Sequence, residues 1–329
     1  MRLGAPAPIA SRPLELVERD DPAPGPGEVR VRVSACACCR TDLHVVEGDL
    51  DLPRLPIVPG HQVVGRVDVL GDGCTGRQVG ERVGVAWLHH ACGRCEFCLR
   101  GEENLCELAQ FTGWTVDGGY ADTVTVPEDF AVRLPDALSD LEAAPLLCAG
   151  VIGYRALRRA EVEPGERVAL FGFGASAHLV LQVLRHWNCE TVVLTRGERH
   201  RALATELGAD WVGGLDAGPP RPADRAIVFA PAGELVPVAL DAVRPGGTVA
   251  LAGIHMSTIP AFEYARLWRE RSLRSVANMT RRDSDEFMAL AAEAGIRTSF
   301  ETFPLAAAND ALAAIASDGV RGAAVLAVA

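Results

Sequence analysis

Strands and helices alternate between residues 141 and 253, and this alternation limits the possible folds more than any other feature. Helices are predicted between apolar strands at 168–171, 192–194, 227–230 and 248–253, and the first helix is predicted over Leu141–Arg158. Strands that are apolar throughout are typical of a parallel sheet covered by helices on both faces. We therefore predict an α/β fold whose doubly wound (Rossmann) domain spans residues 146–284.

A glycine-rich turn follows the first of these strands. Its sequence, GFGASA, fits the dinucleotide-binding pattern G-x-G-x-x-G/A through Gly172, Gly174, Ala175 and Ala177. The turn follows a predicted strand and begins a predicted helix, which is the context that this pattern requires. We predict that the helix N-terminus binds the diphosphate of a nicotinamide cofactor. A plain strand-to-helix turn is the alternative.

The end of the second strand bears on the choice between NAD and NADP. Sites for NAD usually carry Asp or Glu here, and this carboxylate binds the ribose hydroxyls. In this chain Thr195 takes that place, and Arg196 and Arg199 follow. Because no carboxylate repels a 2′-phosphate and arginine attracts one, we expect NAD(P)(H), with NADP(H) slightly favoured. The alternative is that both arginines are merely solvated on a loop.

The first 145 residues have a different pattern. Residues 29–33 alternate valine with arginine, which predicts a half-buried strand. Similar short runs, separated by Gly and Pro, occur at 62–70, 82–87 and 121–126, and an apolar run occurs at 323–328. We predict a second, β-rich domain formed by residues 1–145 and 285–329.

Composition excludes several classes of function. The net charge of −11 argues against a nucleic-acid partner, because phosphate binding needs a basic surface. No apolar run approaches the ~20 residues that span a bilayer, and residues 1–13 lack a signal-peptide pattern. We therefore expect a cytoplasmic protein with neither a membrane nor a nucleic-acid partner. In that compartment, ten cysteines indicate metal binding rather than disulfides.

Four of the cysteines have the spacing C-x2-C-x2-C-x7-C: Cys92, Cys95, Cys98 and Cys106. Structural zinc is held tetrahedrally by four such thiolates. Four reduced thiols in a loop are the alternative, but free cysteine is usually buried and this loop is charged. We predict a structural zinc site.

Three further segments contain potential ligands, namely 36–44 (CACCRTDLH), 59–65 (PGHQVVG) and 145–150 (PLLCAG). Catalytic zinc commonly has three protein ligands and an open fourth position. The residue types alone leave open which side chains share one metal, and Cys148 by itself is equally compatible with a buried core thiol.

These segments resemble the zinc-containing alcohol dehydrogenases of the medium-chain dehydrogenase/reductase superfamily. That family carries G-x-C-x-T-D-x-H, then G-H-E, then a third Cys. The resemblance covers nearly the whole chain and is strongest to the yeast-type and bacterial propanol-preferring branch, partly through Trp87 and Leu88. It implies a GroES-like fold for the β-rich domain and a homo-oligomer, either a dimer or a tetramer.

The resemblance implies that Cys39, His61 and Cys148 bind the catalytic zinc. The sequence departs from the family at two places. Gln62 replaces the Glu of G-H-E, and Cys38 stands directly before the first ligand, so the ligand assignment could be displaced by one residue. The position relative to the following Thr-Asp pair favours Cys39.

The resemblance also assigns roles to three residues of the segment that follows Cys39. Thr41 would bond the substrate oxygen, and His44 would pass the alcohol proton towards solvent through the cofactor ribose. Asp42 would support the metal ligands through hydrogen bonds.

Further residues are assigned from the same resemblance. Arg281 would reach the cofactor diphosphate. Trp87 and Trp114 would narrow the substrate pocket and favour small or slim alcohols, with core packing as the alternative.

The implied function is reversible hydride transfer between a primary or secondary alcohol and a nicotinamide cofactor, with two zinc ions per chain. The expected partner is therefore a small alcohol or aldehyde. An NADPH-preferring aldehyde reductase with the same site is one alternative. A non-catalytic nucleotide-binding relative is another, which loss of the ligands would favour.

Overall fold

The structure is a computed structural model that describes residues 1–215 and 217–328. It divides into two compact units. The first consists of Met1–Cys148, Met279–Ala292 and Arg297–Ala329, and the second of Ala149–Asn278 and Glu293–Ile296. The sequence predicted junctions at 145/146 and 284/285; residue 329 of the last predicted segment lies outside the described residues.

The strands and helices follow one another along the chain. The strands are β1 (Arg2–Leu3), β2 (Leu14–Glu15), β3 (Glu28–Cys38), β4 (Gln62–Leu70), β5 (Arg82–Val85), β6 (Leu88–His90), β7 (Gln110–Phe111), β8 (Thr123–Pro127), β9 (Ala131–Arg133), β10 (Arg167–Phe171), β11 (Glu190–Leu194), β12 (Trp211–Gly213), β13 (Ala223–Val228), β14 (Val243–Leu251), β15 (Ser272–Ser275), β16 (Phe300–Pro304) and β17 (Ala323–Ala327). The α-helices are α1 (Arg40–Glu47), α2 (Glu96–Leu99), α3 (Asp140–Ala143), α4 (Ala149–Ala160), α5 (Ala175–His186), α6 (Glu198–Glu206), α7 (Leu235–Ala242), α8 (Arg281–Glu293) and α9 (Ala308–Ala316).

The first unit is built on a mostly antiparallel sheet with the order β16-β17-β3-β4-β5-β9, and β8 also pairs with β3. The valines at 29, 31 and 33 are buried, as their alternation with arginine predicts. The 3-10 turn Glu103–Leu105 and the helix α2 belong to the loop that contains the four spaced cysteines.

The second unit is a six-stranded sheet in the order β12-β11-β10-β13-β14-β15. Every neighbouring pair is parallel. The strands β10 and β11 are almost completely buried, because helices follow each strand and cover the sheet. The predicted doubly wound α/β fold is confirmed.

One predicted helix is wrong. Instead of a single helix over Leu141–Arg158, the structure has α3, a 3-10 turn at Ala144–Leu147, and then α4. Pro145 lies in the first turn of the 3-10 segment, where its missing amide costs nothing. Cys148 interrupts the helix with φ −130° and ψ −69°. Cys148 therefore belongs to neither helix.

Among the described residues, we find no helix with the length and apolar character needed to cross a bilayer.

Candidate active site

The first unit brings together the thiols of Cys39 and Cys148 and the imidazole of His61. One ligand atom from each lies within 4.8 Å of the others. Cys39 stands between β3 and α1, His61 directly precedes β4, and Cys148 occupies the helix break. The Sγ atom of Cys39 is 3.5 Å from Nε2 of His61. Two sulfurs and one imidazole suit zinc with an open fourth position.

The position of His61 depends on the glycine before it. Gly60 has φ +98°, and a Cβ atom there would lie 2.3 Å from Cδ1 of the Tyr120 ring. Tyr120 is completely buried and cannot move aside. The carbonyl of Gly60 also accepts a hydrogen bond from Gly119. Only glycine fits this turn, which directs His61 towards the two thiols.

Asp42 connects two of the metal-ligand candidates. Its Oδ1 accepts from Nδ1 of His61 at 2.9 Å, and its Oδ2 accepts from the Cys39 amide at 2.8 Å. Cys39 and Asp42 together form a capping box at the start of α1. The bond to Nδ1 fixes the imidazole tautomer and leaves Nε2 free to coordinate.

Charge at this site favours a thiolate at Cys39, whereas the hydrogen bond to Cys39 and burial raise the pKa of Cys148 well above its ordinary value. A hydrogen bond from the Cys148 thiol and the charge of His61 hold the pKa of Cys39 well below its ordinary value. Burial acts to lower the pKa of His61, but the negative charges of Asp42 and Cys39 outweigh it and raise that pKa to about 10. The pocket therefore stabilises the thiolate of Cys39, which is the form of cysteine that binds a metal.

The neighbouring residues take other roles. Cys38 is packed in the hydrophobic core of the first unit, whereas Cys39 belongs to the metal-ligand group. Gln62 is buried, and its amide nitrogen donates to the carbonyl of Ala37 at 3.2 Å. A glutamate at that position would face the carbonyl without a proton to donate, so the amide suits this chain's own packing.

Helix α1 places Thr41 and His44 three residues apart, on one face. The Thr41 amide donates to Sγ of Cys39 at 3.3 Å. Nδ1 of His44 lies 2.7 Å from Oδ2 of Asp49, whose side chain is half exposed. Thr41 thus lies next to the metal-ligand group, and His44 lies next to the solvent-accessible carboxylate of Asp49.

An aromatic stack lies against His61. The Trp87 ring meets His61 edge-on at 4.9 Å and stacks on Trp114 at 5.7 Å with an interplanar angle of 8°. Phe111, which the sequence did not single out, stacks on Trp87 at 5.4 Å. Nε1 of Trp114 donates to the carbonyl of Asp51 at 2.9 Å. These contacts fix the rings rigidly next to the metal-ligand group.

The four spaced cysteines form a second group, with sulfurs within 4.8 Å of one another. Backbone amides of Arg94 and Cys95 lower the pKa of Cys92 to about 6, and burial raises that of Cys98 to about 12. Four converging sulfurs fit a tetrahedral zinc ion.

The glycine-rich turn lies in the second unit between β10 and α5. Gly172 has φ +87°, and a Cβ atom there would approach Ala230 to 3.0 Å. Gly174 is the N-cap of α5, and the space where its Cβ would lie is open. Ala175 begins the helix and Ala177 is buried in its first turn. Free helix amides facing open space form a cradle that a diphosphate fits.

The end of β11 carries Thr195, buried, followed by the exposed Arg196. A third arginine, which the sequence did not single out, shapes this turn. Arg201 donates from Nη1 to the carbonyls of Thr195 (3.3 Å) and Arg196 (2.8 Å). Arg196 is thereby presented outward.

Arg281 lies in the first unit, at the start of α8. Its guanidinium pairs with Glu103 of the four-cysteine loop at 2.8 Å and lies over Phe130 at 4.5 Å. The sequence did not single out Glu103, because one buried acid cannot be distinguished from its solvated neighbours in a charged loop.

Comparison with known proteins agrees with this arrangement. A model of the alcohol dehydrogenase GroES-like domain matches residues 25–136, and one of the zinc-binding dehydrogenases matches residues 177–294. The "Probable alcohol dehydrogenase AdhA" of Mycobacterium tuberculosis is 48% identical over 327 residues, which cover 98% of this chain and 94% of that protein. The chain belongs to the zinc-dependent medium-chain alcohol dehydrogenases.

Other members of this alcohol dehydrogenase family are similar over their full length. An alcohol dehydrogenase of Geobacillus stearothermophilus is 36% identical, with 96% of this chain and 97% of that protein covered. A cobalt- and zinc-bound thermostable alcohol dehydrogenase from Pyrobaculum aerophilum superposes with a TM-score of 0.90 at 27% identity, covering 99% and 98% of the two chains. The protein is thus an NAD(P)-dependent zinc alcohol dehydrogenase with a GroES-like and a Rossmann-like domain, and it catalyses reversible alcohol oxidation.

Proposed function

We propose that Cys39, His61 and Cys148 hold the catalytic zinc and that Cys92, Cys95, Cys98 and Cys106 hold a structural one. The observation that carries the first assignment is the convergence of three ligand atoms from separate segments, with Asp42 bonded to the imidazole. Zinc, when bound, supplies a Lewis acid that polarises the substrate oxygen.

Thr41 and His44 would move the proton. The amide of Thr41 donates to Sγ of Cys39, which places this residue next to the metal-ligand group, and its hydroxyl would accept the proton of the substrate hydroxyl. His44 would pass that proton towards solvent, by way of the cofactor ribose, and its Nδ1 lies beside the half-exposed carboxylate of Asp49.

Trp87 and Trp114 would form one wall of the substrate pocket. Their parallel stack is held by His61 on one side and by the Asp51 carbonyl on the other. A rigid aromatic wall admits a slim chain more easily than a branched one, so we propose small primary or secondary alcohols and the matching aldehydes and ketones. This agrees with the yeast-type and propanol-preferring branch predicted from the sequence.

The second unit would be the nucleotide domain and the first the catalytic domain. Gly172, Gly174 and the start of α5 would bind the diphosphate. The proposed diphosphate role of Arg281 rests on the family resemblance alone. Thr195 and the outward Arg196 favour NADP(H) slightly, which makes an NADPH-dependent aldehyde reductase the second candidate.

The protein would be a cytoplasmic homo-oligomer. No disulfide joins cysteines of the described residues, and reduced cysteines are typical of the cytosol. Tyr264 and Trp268 are 69% and 57% exposed near the edge strand β15, and an exposed aromatic patch beside an open sheet edge favours association with another copy.

Paired variants test the catalytic site. Cys39→Ser should lose one metal ion per chain and almost all alcohol oxidation, whereas Cys38→Ser should keep both because its thiol only packs in the core. Initial rates with NAD and NADP over a panel of alcohols and aldehydes then give direction and cofactor. An active, fully loaded Cys39→Ser protein would contradict the assignment.

A further inference from the structure

Glu103 is a buried acid in the charged four-cysteine loop. Its side chain is 10% exposed, whereas the side chains of Glu96 and Glu102 in the same loop are 71% and 44% exposed. An unpaired carboxylate seldom tolerates such burial, so Glu103 must be matched by strong partners.

Within residues 1–215 and 217–328, the partners of this carboxylate all belong to Arg281. The Arg281 amide donates to Oε1 of Glu103 at 2.7 Å. Its Nε donates to Oε2 at 3.0 Å and its Nη2 donates to the same oxygen at 2.8 Å. The stacked Phe130 ring restrains the guanidinium from its face. One side chain of the loop therefore fixes both the backbone and the side chain of Arg281.

This contact also stabilises the start of α8. Thr280 and Asp283 form a reciprocal cap, in which Oγ1 of Thr280 accepts from the Asp283 amide at 3.2 Å. The amide of Arg281, the first helical residue, has no partner within the helix. Glu103 satisfies it and places a negative charge at the positive end of the helix dipole.

Glu103 is held in turn by the cysteine group. It begins the 3-10 turn Glu103–Leu105, and its carbonyl accepts from the amide of Cys106, one of the four sulfur ligands. Cys98 lies five residues before it, so the turn is closed on both sides by residues that converge on the same point.

We propose that Glu103 is a positioning residue that couples metal binding in the four-cysteine loop to the start of α8 and the orientation of Arg281. With the loop metal bound, Glu103 is held against Arg281. Without it, the loop relaxes, α8 frays and the guanidinium is released. The coupling rests on the proposed structural metal, and its effect on nucleotide binding rests on the proposed role of Arg281.

Hydrogen exchange of the full chain tests the coupling. In Glu103→Ala with metal bound, amides at the start of α8 should exchange roughly tenfold faster or more, because a buried ion pair has lost one partner. Glu102→Ala, which removes the same charge from the adjacent exposed residue, should leave α8 unchanged. Cys95→Ser, with its loop metal lost, should reproduce the Glu103→Ala effect at α8 while β4 stays protected.

Hydrogen exchange and kinetics together separate this proposal from the proposed function. If α8 exchanges at the wild-type rate in Glu103→Ala, or if β4 loosens as much as α8 in both variants, the coupling is overturned. If α8 loosens and the KM for the cofactor rises while kcat and the alcohol KM hold, the coupling and the role of Arg281 both stand. If α8 loosens with an unchanged cofactor KM, the coupling stands and the nucleotide role of Arg281 falls.

Discussion

Nδ1 of His61 lies 2.9 Å from Oδ1 of Asp42, and both side chains are almost completely buried. The same carboxylate accepts from the amide of Cys39. One acid thus orients two of the three proposed ligands, so we expect its removal to weaken metal binding.

Asp42→Asn should weaken metal binding and turnover about 10–100-fold. Asparagine has only one acceptor oxygen, so its NH2 group would face either the imidazole or the Cys39 amide, both of which are donors. Competition with a chelator, followed by metal analysis and rate measurements, gives both quantities. Asp51→Asn, a neutralised surface acid, is the matched control. An Asp42→Asn protein with wild-type metal affinity would remove Asp42 from the site.

The four-cysteine group should contribute to folding rather than to chemistry. We expect two zinc ions per chain in the wild type and one in Cys95→Ser, with several kcal/mol of stability lost, since binding free energy at a structural zinc site is folding free energy. Urea unfolding and kcat are measured on the same preparation, with Cys74→Ser as the control. Unchanged stability together with lost turnover would mean that the two sites have been exchanged.

Gly60→Ala should be one of the most damaging glycine substitutions in the first unit. The new methyl group would enter the Tyr120 ring at a left-handed φ, at a cost of roughly 2 kcal/mol or more. Gly73→Ala is a matched control, because its φ of +82° is similar but its Cβ would meet open space. Thermal unfolding and metal content of the two variants test the expectation. Equal losses of stability in both variants would show that the Tyr120 contact is unimportant.

Acid should destabilise the second unit through His178. Burial lowers the pKa of this histidine to about 4 from its ordinary 6.5. Between these values the unfolded chain binds a proton that the folded chain excludes, so the stabilisation is complete above pH 6.5 and is lost as the pH falls towards 4. Unfolding of His178→Leu in urea should be less pH-sensitive than wild type by roughly 2 kcal/mol between about pH 7.5 and about pH 5. If His178→Leu keeps the wild-type pH dependence, the idea is wrong.

Thr195→Asp should turn cofactor use towards NADH. The carboxylate would repel a 2′-phosphate and bind the ribose, and a charge-assisted contact of about 1.5–3 kcal/mol corresponds to tenfold or more in kcat/KM ratio. Thr205→Asp adds the same charge on the exposed side of α6 and should leave the ratio alone. If the wild type already prefers NADH by more than about a hundredfold, the proposed NADP(H) preference fails.

The four central strands of the parallel sheet (β10, β11, β13 and β14) could be predicted because they are largely buried. The two edge strands, β12 and β15, are only partly buried and were not predicted. The run 168–171 has no polar side chain to blur the pattern, and the strand is found at Arg167–Phe171. In the antiparallel sheet of the first unit, the β4 strand (Gln62–Leu70) was also predicted at its observed bounds.

The break at Cys148 could not be predicted in the same way. The apolar spacing of 141–158 is the same whether the chain is one helix or two, and the backbone conformation of Cys148 depends on packing around the 3-10 turn rather than on periodicity. Glu103 was missed for a related reason. Its burial is set by Arg281, 178 residues away in the sequence, and no local pattern records that contact.

The antiparallel pairing of β3 with β17 governs the order in which the protein can mature on the ribosome. Residues 35–38, which lead into Cys39, pair with residues 324–327. All strands of the parallel sheet lie between residues 167 and 275, so that sheet can close while the last strands are still unsynthesised. Until β17 emerges, one edge of β3 stays unpaired beside Cys39, the first proposed zinc ligand, while the other edge can pair with β4. Nascent chains halted before residue 323 should therefore be the species most in need of a chaperone.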